Sequence, residues 1–142
     1  MNDPIICRES LDICFTVIHD IYPTKERLMR CNQHPDGRCP SCPPRTRDTA
    51  VHFFAECALV IHLWVYVKNC LIRNDIIHTI LVDNESCLFF DIDVSSAKIK
   101  LYLYFISKFI LFVHKNKHQN PTVKQLKAFF VHRKPTNLNM LI

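Results

Sequence analysis

Four residues of the 142-residue chain have the types and the spacing for metal chemistry. In CPSCPPRTRDTAVHFFAEC, residues 39 to 57, Cys39 and Cys42 form a Cys-x-x-Cys, His52 follows, and Cys57 stands five positions beyond it. Zinc takes four ligands tetrahedrally, and a Cys-x-x-Cys turn aims two thiolates at one point while its N–H groups donate to the sulfurs. Cys39, Cys42, His52 and Cys57 would therefore make a closed structural Zn2+ site with no open position for water or substrate. Three thiolates on Zn2+ leave a formal negative charge, and a saturated, sulfur-rich metal is a poor Lewis acid. Such a site folds a module and has no need to catalyse anything.

The same residues admit other readings. Cys39 and Cys42 could form a thiol-redox pair, but such dithiols open a helix that follows a strand, and here Pro43-Pro44 come directly after the second cysteine. Cys31-x-x-His34 also has ligand spacing and could replace His52 or Cys57. With eight cysteines in the chain, several act as small apolar core residues, and chance clustering is a third reading. A geometric difficulty attends the four-ligand cage. Five residues along an α-helix is about 140° around its axis, so His52 and Cys57 can meet one metal only if the helix frays or ends near Glu56.

The elements that must position these residues are read from hydrophobic period and from start and stop signals. Helices are expected at roughly 10–21, 24–31, 48–56, 58–73, 96–116 and 121–133, giving a mostly α fold: a small helical domain with an irregular zinc-binding loop. Ser10 is the expected cap of the first helix, with Leu11, Cys14, Phe15, Ile18 and Tyr22 on its buried face and Pro23 stopping it. Thr24 caps the second, whose Leu28 and Met29 face inward. Residues 32–46 hold four prolines and the only glycine, Gly37, whose permissive backbone suits a bend before Cys39. Asp48 is the expected N-cap of the helix carrying His52. In the next helix Val60, Leu63, Trp64, Val67, Cys70 and Leu71 share one face.

Residues 74–93 could extend that helix or include a strand. From Ser95 or Ser96, AKIKLYLYFISKFILFVHKNK is apolar almost all round, which marks a buried central helix or a membrane span. Ile99 to Val113 is 15 residues, about 22 Å, against the roughly 20 residues a span needs, and Lys108 lies inside it. A core helix is expected. Asn120-Pro121 should start the last helix, closing before Pro135. Residues 1–73 are read as the zinc-binding helical module and residues 74–142 as a basic, apolar helical region packed on it.

One glycine removes whole classes of chemistry. A P-loop, a dinucleotide fingerprint and a nucleophile elbow each need several, so none is present. No Ser-His-Asp or paired-carboxylate arrangement is legible, His62, His78, His114, His118 and His132 have no partners at useful spacing, and the chain is not expected to be an enzyme. The opening MNDPIICRESLD shows no signal-peptide pattern, which points to a reducing, intracellular setting in nucleus or cytoplasm.

Charge is unevenly laid out. Residues 1–93 carry all 13 acids and nine bases, whereas residues 94–142 carry nine bases and no acid. Around the proposed cage Lys25, Arg27, Arg30, Arg38, Arg45 and Arg47 outnumber Glu26 and Asp36, a candidate phosphate-binding patch. Lys115, Lys117, Lys124, Lys127, Arg133 and Lys134 could form a second patch or keep an apolar domain solvated. Phe129 and Phe130 are expected in the core.

The order of these motifs resembles the zinc-binding domain that follows the reverse transcriptase in non-LTR retrotransposons, the reverse transcriptase zinc-binding (zf-RVT) family. That family has a His-Gly-like element, matched here by His19-Asp20 with Asp for Gly, then a segment matched by Pro23, Thr24, Arg27 and Leu28. Cys39 and Cys42 follow, then Asp48 in place of Glu before Thr49 and His52, then Phe54, Cys57 and Trp64. The match covers about residues 14–66. The resemblance implies a Zn2+ module contacting RNA or DNA, alone or beside a reverse transcriptase polypeptide; no membrane and no small-molecule substrate are expected. No paired-aspartate polymerase motif occurs, so the resemblance implies a separated, domesticated or non-functional retroelement remnant. A helical protein–protein interaction module is the alternative, and a redox protein using Cys39 and Cys42 the third.

Overall fold

The computed structural model describes residues 6–43 and 45–131, and among them the fold is helical with no strand. Six α-helices run in order: α1 (Arg8–Ile18), α2 (Lys25–Arg30), α3 (Leu63–Arg73), α4 (Asn84–Leu88), α5 (Ile99–Asn116) and α6 (Val123–Val131). A π-helical turn, His52–Glu56, stands between α2 and α3, and single 3₁₀ turns bracket α5. The strand considered for part of 74–93 does not form; that stretch is irregular around the short α4, whose cap Asp83 accepts from the Ser86 N–H.

Helix α5 is the centre of the molecule. Ten of its 18 residues are buried, including Phe105, Ile106, Phe109 and Ile110 at zero exposure. Helices α1, α3 and α6 all pack on it, and α3 also meets α6. Residues from both halves of the chain thus share one apolar cluster, from Cys14 and Val17 through Trp64 and Val67 to Leu126 and Phe130. Each such side chain contributes roughly 1.5–3 kcal/mol by leaving water. No helix of the described residues is long and apolar enough to cross a membrane. The Lys108 ammonium lies 5.5 and 5.4 Å from the ring centroids of Tyr104 and Phe129.

Periodicity gave the right face for α3, whose Leu63, Trp64, Val67, Cys70 and Leu71 are all buried. For α1 it was right for Cys14, and for Tyr22 beyond the helix end, and wrong for the other three residues. There Ser10, Cys14 and Val17 are buried, while Leu11, Phe15 and Ile18 are exposed. The buried row is made of smaller side chains, which let α1 approach α5 closely; the larger apolar residues one position on face outward. Ser10 consequently lies inside the helix, and the cap position is Cys7, whose side chain makes no cap bond. Nor does Pro23 end α1. The helix closes at His19, where the chain reverses through Asp20 at φ 55°, a left-handed conformation that Asp tolerates better than most side chains.

Two other caps differ from expectation. Asp48 does not cap the turn that carries His52. Its Oδ2 accepts from the Lys25 N–H at 3.0 Å, at the start of α2, and Thr49 Oγ1 accepts from the His52 N–H at 3.1 Å instead. At α6, Asn120 sits at φ 52° outside the helix. Thr122 and Gln125 form a reciprocal capping box, each side chain bonded to the other's N–H at 2.9 and 3.2 Å. Thr24 caps α2 as its sequence indicates, accepting from Arg27 N–H. The expected helix end near residue 133 and Pro135 lie outside the described residues.

Candidate metal centre

The loop bearing the cysteine pair is held by a small antiparallel ribbon. Arg38 and Arg47 form an isolated bridge, with Cys39 N–H donating to Thr46 O and Asp48 N–H to Gly37 O, both at 2.9 Å. Gly37 is not at positive φ, so the expected permissive bend is not its role. It is buried against α2, where a Cβ would stand 3.2 Å from the Glu26 Cα and 3.0 Å from the Met29 Cε. Close approach of loop to helix is what requires glycine here.

The helical-phase difficulty between His52 and Cys57 is resolved by a π-turn. Cys57 N–H donates to His52 O at 2.8 Å, an i→i+5 bond, and Cys57 itself is extended at φ −60°, ψ 140°. The wider turn ends the helix at Glu56 and returns Cys57 toward His52. Ending there strands the last carbonyls of the turn. Three side chains from outside satisfy them: Lys117 Nζ donates to Phe53 O at 2.8 Å, Trp64 Nε1 to Phe54 O at 2.8 Å, and Asn84 Nδ2 to Ala55 O at 3.1 Å. The site's shape therefore depends on α3, α4 and the segment after α5.

In this frame one ligand atom from each of Cys39, Cys42, His52 and Cys57 lies within 4.8 Å of every other. The Cys57 sulfur is 3.8 Å from that of Cys39 and 3.7 Å from that of Cys42. A tetrahedral centre with Zn–S bonds near 2.3 Å places its sulfurs about 3.8 Å apart, whereas a disulfide needs about 2.05 Å. All three cysteines are free thiols. The His52 side chain is buried with its Nε2 lacking any hydrogen-bond partner, a polar atom that ligation of the ring would account for. The donor set fits Zn2+: three soft sulfurs, one imidazole and no vacant fourth position.

Surroundings bias the thiols differently. Burial pushes Cys57 up to about 11, its second influence being a backbone N–H from Leu59 that pulls the other way. For Cys42 burial also raises the value, but the Ala58 N–H, the other two thiols and Lys117 outweigh it and the net shift is downward. His52 is held below its ordinary 6.5, first by burial and then by the Lys117 charge. Each of these groups gains its metal-binding form, thiolate or neutral imidazole, at the cost of a proton where it holds one.

Cys31 and His34 are not part of the cluster. Cys31 is exposed, and His34 Nδ1 accepts from the Asp36 N–H at 3.1 Å. The six bases proposed as a phosphate patch are for the most part already engaged. Arg47 pairs with Glu26, Arg38 with Asp36 at 3.0 Å and Arg30 with Asp20 at 3.7 Å, while Arg27 donates to the Asp20 carbonyl. Lys25 lines a small cavity beside Cys39 with Asp48 and Lys117, and Arg45 is exposed. Asp20 and Asp48, just outside residues 25–47, lower the local excess of positive charge.

Lys117 is the residue that sequence reasoning misplaced. Counted there among solvated C-terminal bases, it is only 3% exposed and lies beside the Cys39 and Cys57 thiols. No local pattern could reveal this, because its partners lie in a distant segment and its neighbours Lys115 and His118 are exposed as expected. Neither family models, curated proteins nor solved structures give any match to the chain.

Proposed function

We propose that this chain is a non-catalytic zinc-binding module that contacts RNA or DNA backbone, of the kind that follows the reverse transcriptase in non-LTR retrotransposons. The observation that carries the zinc reading is the convergence of Cys39, Cys42, His52 and Cys57 with sulfur spacings of 3.7 and 3.8 Å. The retroelement reading draws support from two places where the family pattern has a physical reason here. Asp20 stands in the left-handed conformation at the position where the pattern has Gly, and Trp64 of the pattern braces the π-turn between His52 and Cys57.

Contact with nucleic acid rests on the acid-free run of bases after residue 93, the buried Lys117 apart, and on Lys25 and Arg45 near the cage. Its test is fluorescence anisotropy of the zinc-loaded protein with a single-stranded RNA across a salt series. The expected result is log affinity falling with log salt by roughly 0.7 per phosphate neutralised. No binding at low salt overturns the nucleic-acid part and leaves the zinc part standing.

A second reading, a protein-interaction module, is favoured by the outward row of α1. Leu11, Phe15 and Ile18 recur at helical spacing, with Ile21 close after, and all four are exposed. Salt-insensitive binding to a reverse transcriptase polypeptide, lost on Phe15→Asp, with no affinity for nucleic acid selects this reading. A thiol-redox protein would need Cys39 and Cys42 to cycle through a disulfide. Full retention of zinc after treatment with oxidised glutathione speaks against that chemistry.

A further inference from the structure

Lys117 is a cation without an obvious reason to be buried. Its ammonium donates to Phe53 O at 2.8 Å and lies 3.6 Å from the Phe53 ring centroid, with 3% of the residue exposed. A carbonyl and a ring face replace only part of the hydration such a charge gives up. The other groups it faces are Cys57, Cys39 and the buried carboxylate of Asp48. Asp48 already accepts from Lys25 N–H through one oxygen. Neutral thiols offer the ammonium little. Loaded with Zn2+, three thiolates and an imidazole carry a formal negative charge in this same corner.

We propose that the Lys117 ammonium is the counter-charge of the metal-loaded cage, so that Cys39, Cys42, His52 and Cys57 hold zinc tightly only with the segment after α5 in place. The inference rests on the zinc reading and adds a requirement to it: the cage is not an autonomous knuckle of the first half of the chain. Lys117 is a positioning residue. It touches the π-turn through Phe53, between the two ligands whose spacing that turn sets, and it places a positive charge beside the loaded cage.

The test uses the full chain with Lys117→Met and Lys117→Arg, reading zinc affinity by competition with a chromogenic chelator and zinc-free stability by urea unfolding. Outer partners of metal ligands typically contribute about 10–100-fold in affinity. Lys117→Met is expected to weaken zinc by that factor while the zinc-free midpoint moves little, because relief of a buried charge offsets the hydrogen bond that Phe53 O loses. Lys117→Arg, which keeps the charge, is expected to stay within about threefold of the parent, well inside the loss that a missing outer partner causes. If Lys117→Met lowers affinity and zinc-free stability together, or the Arg variant fails equally, Lys117 is a packing prop and the inference is overturned. A Met variant matching a zinc-binding parent overturns the inference alone. A parent that takes up no zinc overturns both the inference and the metal reading.

Discussion

Replacing Trp64 by Phe tests how the π-turn is held. Trp64 is 1% exposed, its indole N–H donates to Phe54 O at 2.8 Å, and its ring meets Phe109 edge-on at 4.6 Å between centroids. Phenylalanine keeps the apolar contact and loses the donor. The Phe54 carbonyl, stranded at the end of the turn, is then buried and unpaired, which costs about 1–3 kcal/mol. The smaller ring leaves a void of roughly 40 Å³, worth about 1 kcal/mol more at ~24 cal/mol per Å³. The expected loss is therefore about 2–4 kcal/mol, or roughly 6–15 °C in Tm for a chain of this size. Urea unfolding followed by far-UV circular dichroism is the assay, since the substitution removes the only tryptophan. A loss below about 1 kcal/mol would refute the view that this hydrogen bond secures the turn.

Further outcomes follow from the same geometry. Asp20→Gly should raise stability by up to about 1 kcal/mol, because glycine takes φ 55° without the Cβ penalty; a lower urea midpoint would contradict this. Phe15→Ala should cost less than about 1 kcal/mol and Val17→Ala about 2 kcal/mol, the reverse of what side-chain size suggests, as measured by paired urea titrations. Thr122→Ala should cost about 1 kcal/mol by breaking the capping box, with hydrogen exchange rising first in α6. In the zinc-free protein, the lowered His52 value means the unfolded chain binds its proton first. The stability due to this group is present above 6.5 and is lost as pH falls through the folded value; a pH series of unfolding midpoints, with His52→Gln flattening that step, checks the sign.

Much of the fold was legible because it rests on local signals. The continuous apolar run in α5 marked its burial, its length argued against a span, and the Thr24 cap and the face of α3 followed from side-chain type and spacing. What escaped sequence reasoning depends on tertiary fit. Helical spacing grouped Leu11, Phe15 and Ile18 with Cys14 on the inner face of α1, yet close packing on α5 selected the row of Ser10, Cys14 and Val17. Asp48 looked like a cap for the turn after it and serves the helix before it, since the chain folds back to bring Lys25 alongside. The convergence of Cys39, Cys42, His52 and Cys57 was legible from type and spacing, but the π-turn that aligns two of them was not. It is stabilised by Lys117, Trp64 and Asn84, which share no sequence neighbourhood with one another.

Cys39, Cys42, His52 and Cys57 together offer a closed centre of three sulfurs and one nitrogen. X-ray absorption at the zinc edge on protein purified with one equivalent of Zn2+ tests it most directly. The predicted result is a four-coordinate shell of three sulfurs near 2.3 Å and one nitrogen at about 2.0–2.1 Å, with one sulfur lost in Cys57→Ser. A shell of oxygens and nitrogens alone, or a Cys57→Ser spectrum identical to the parent's, would contradict it.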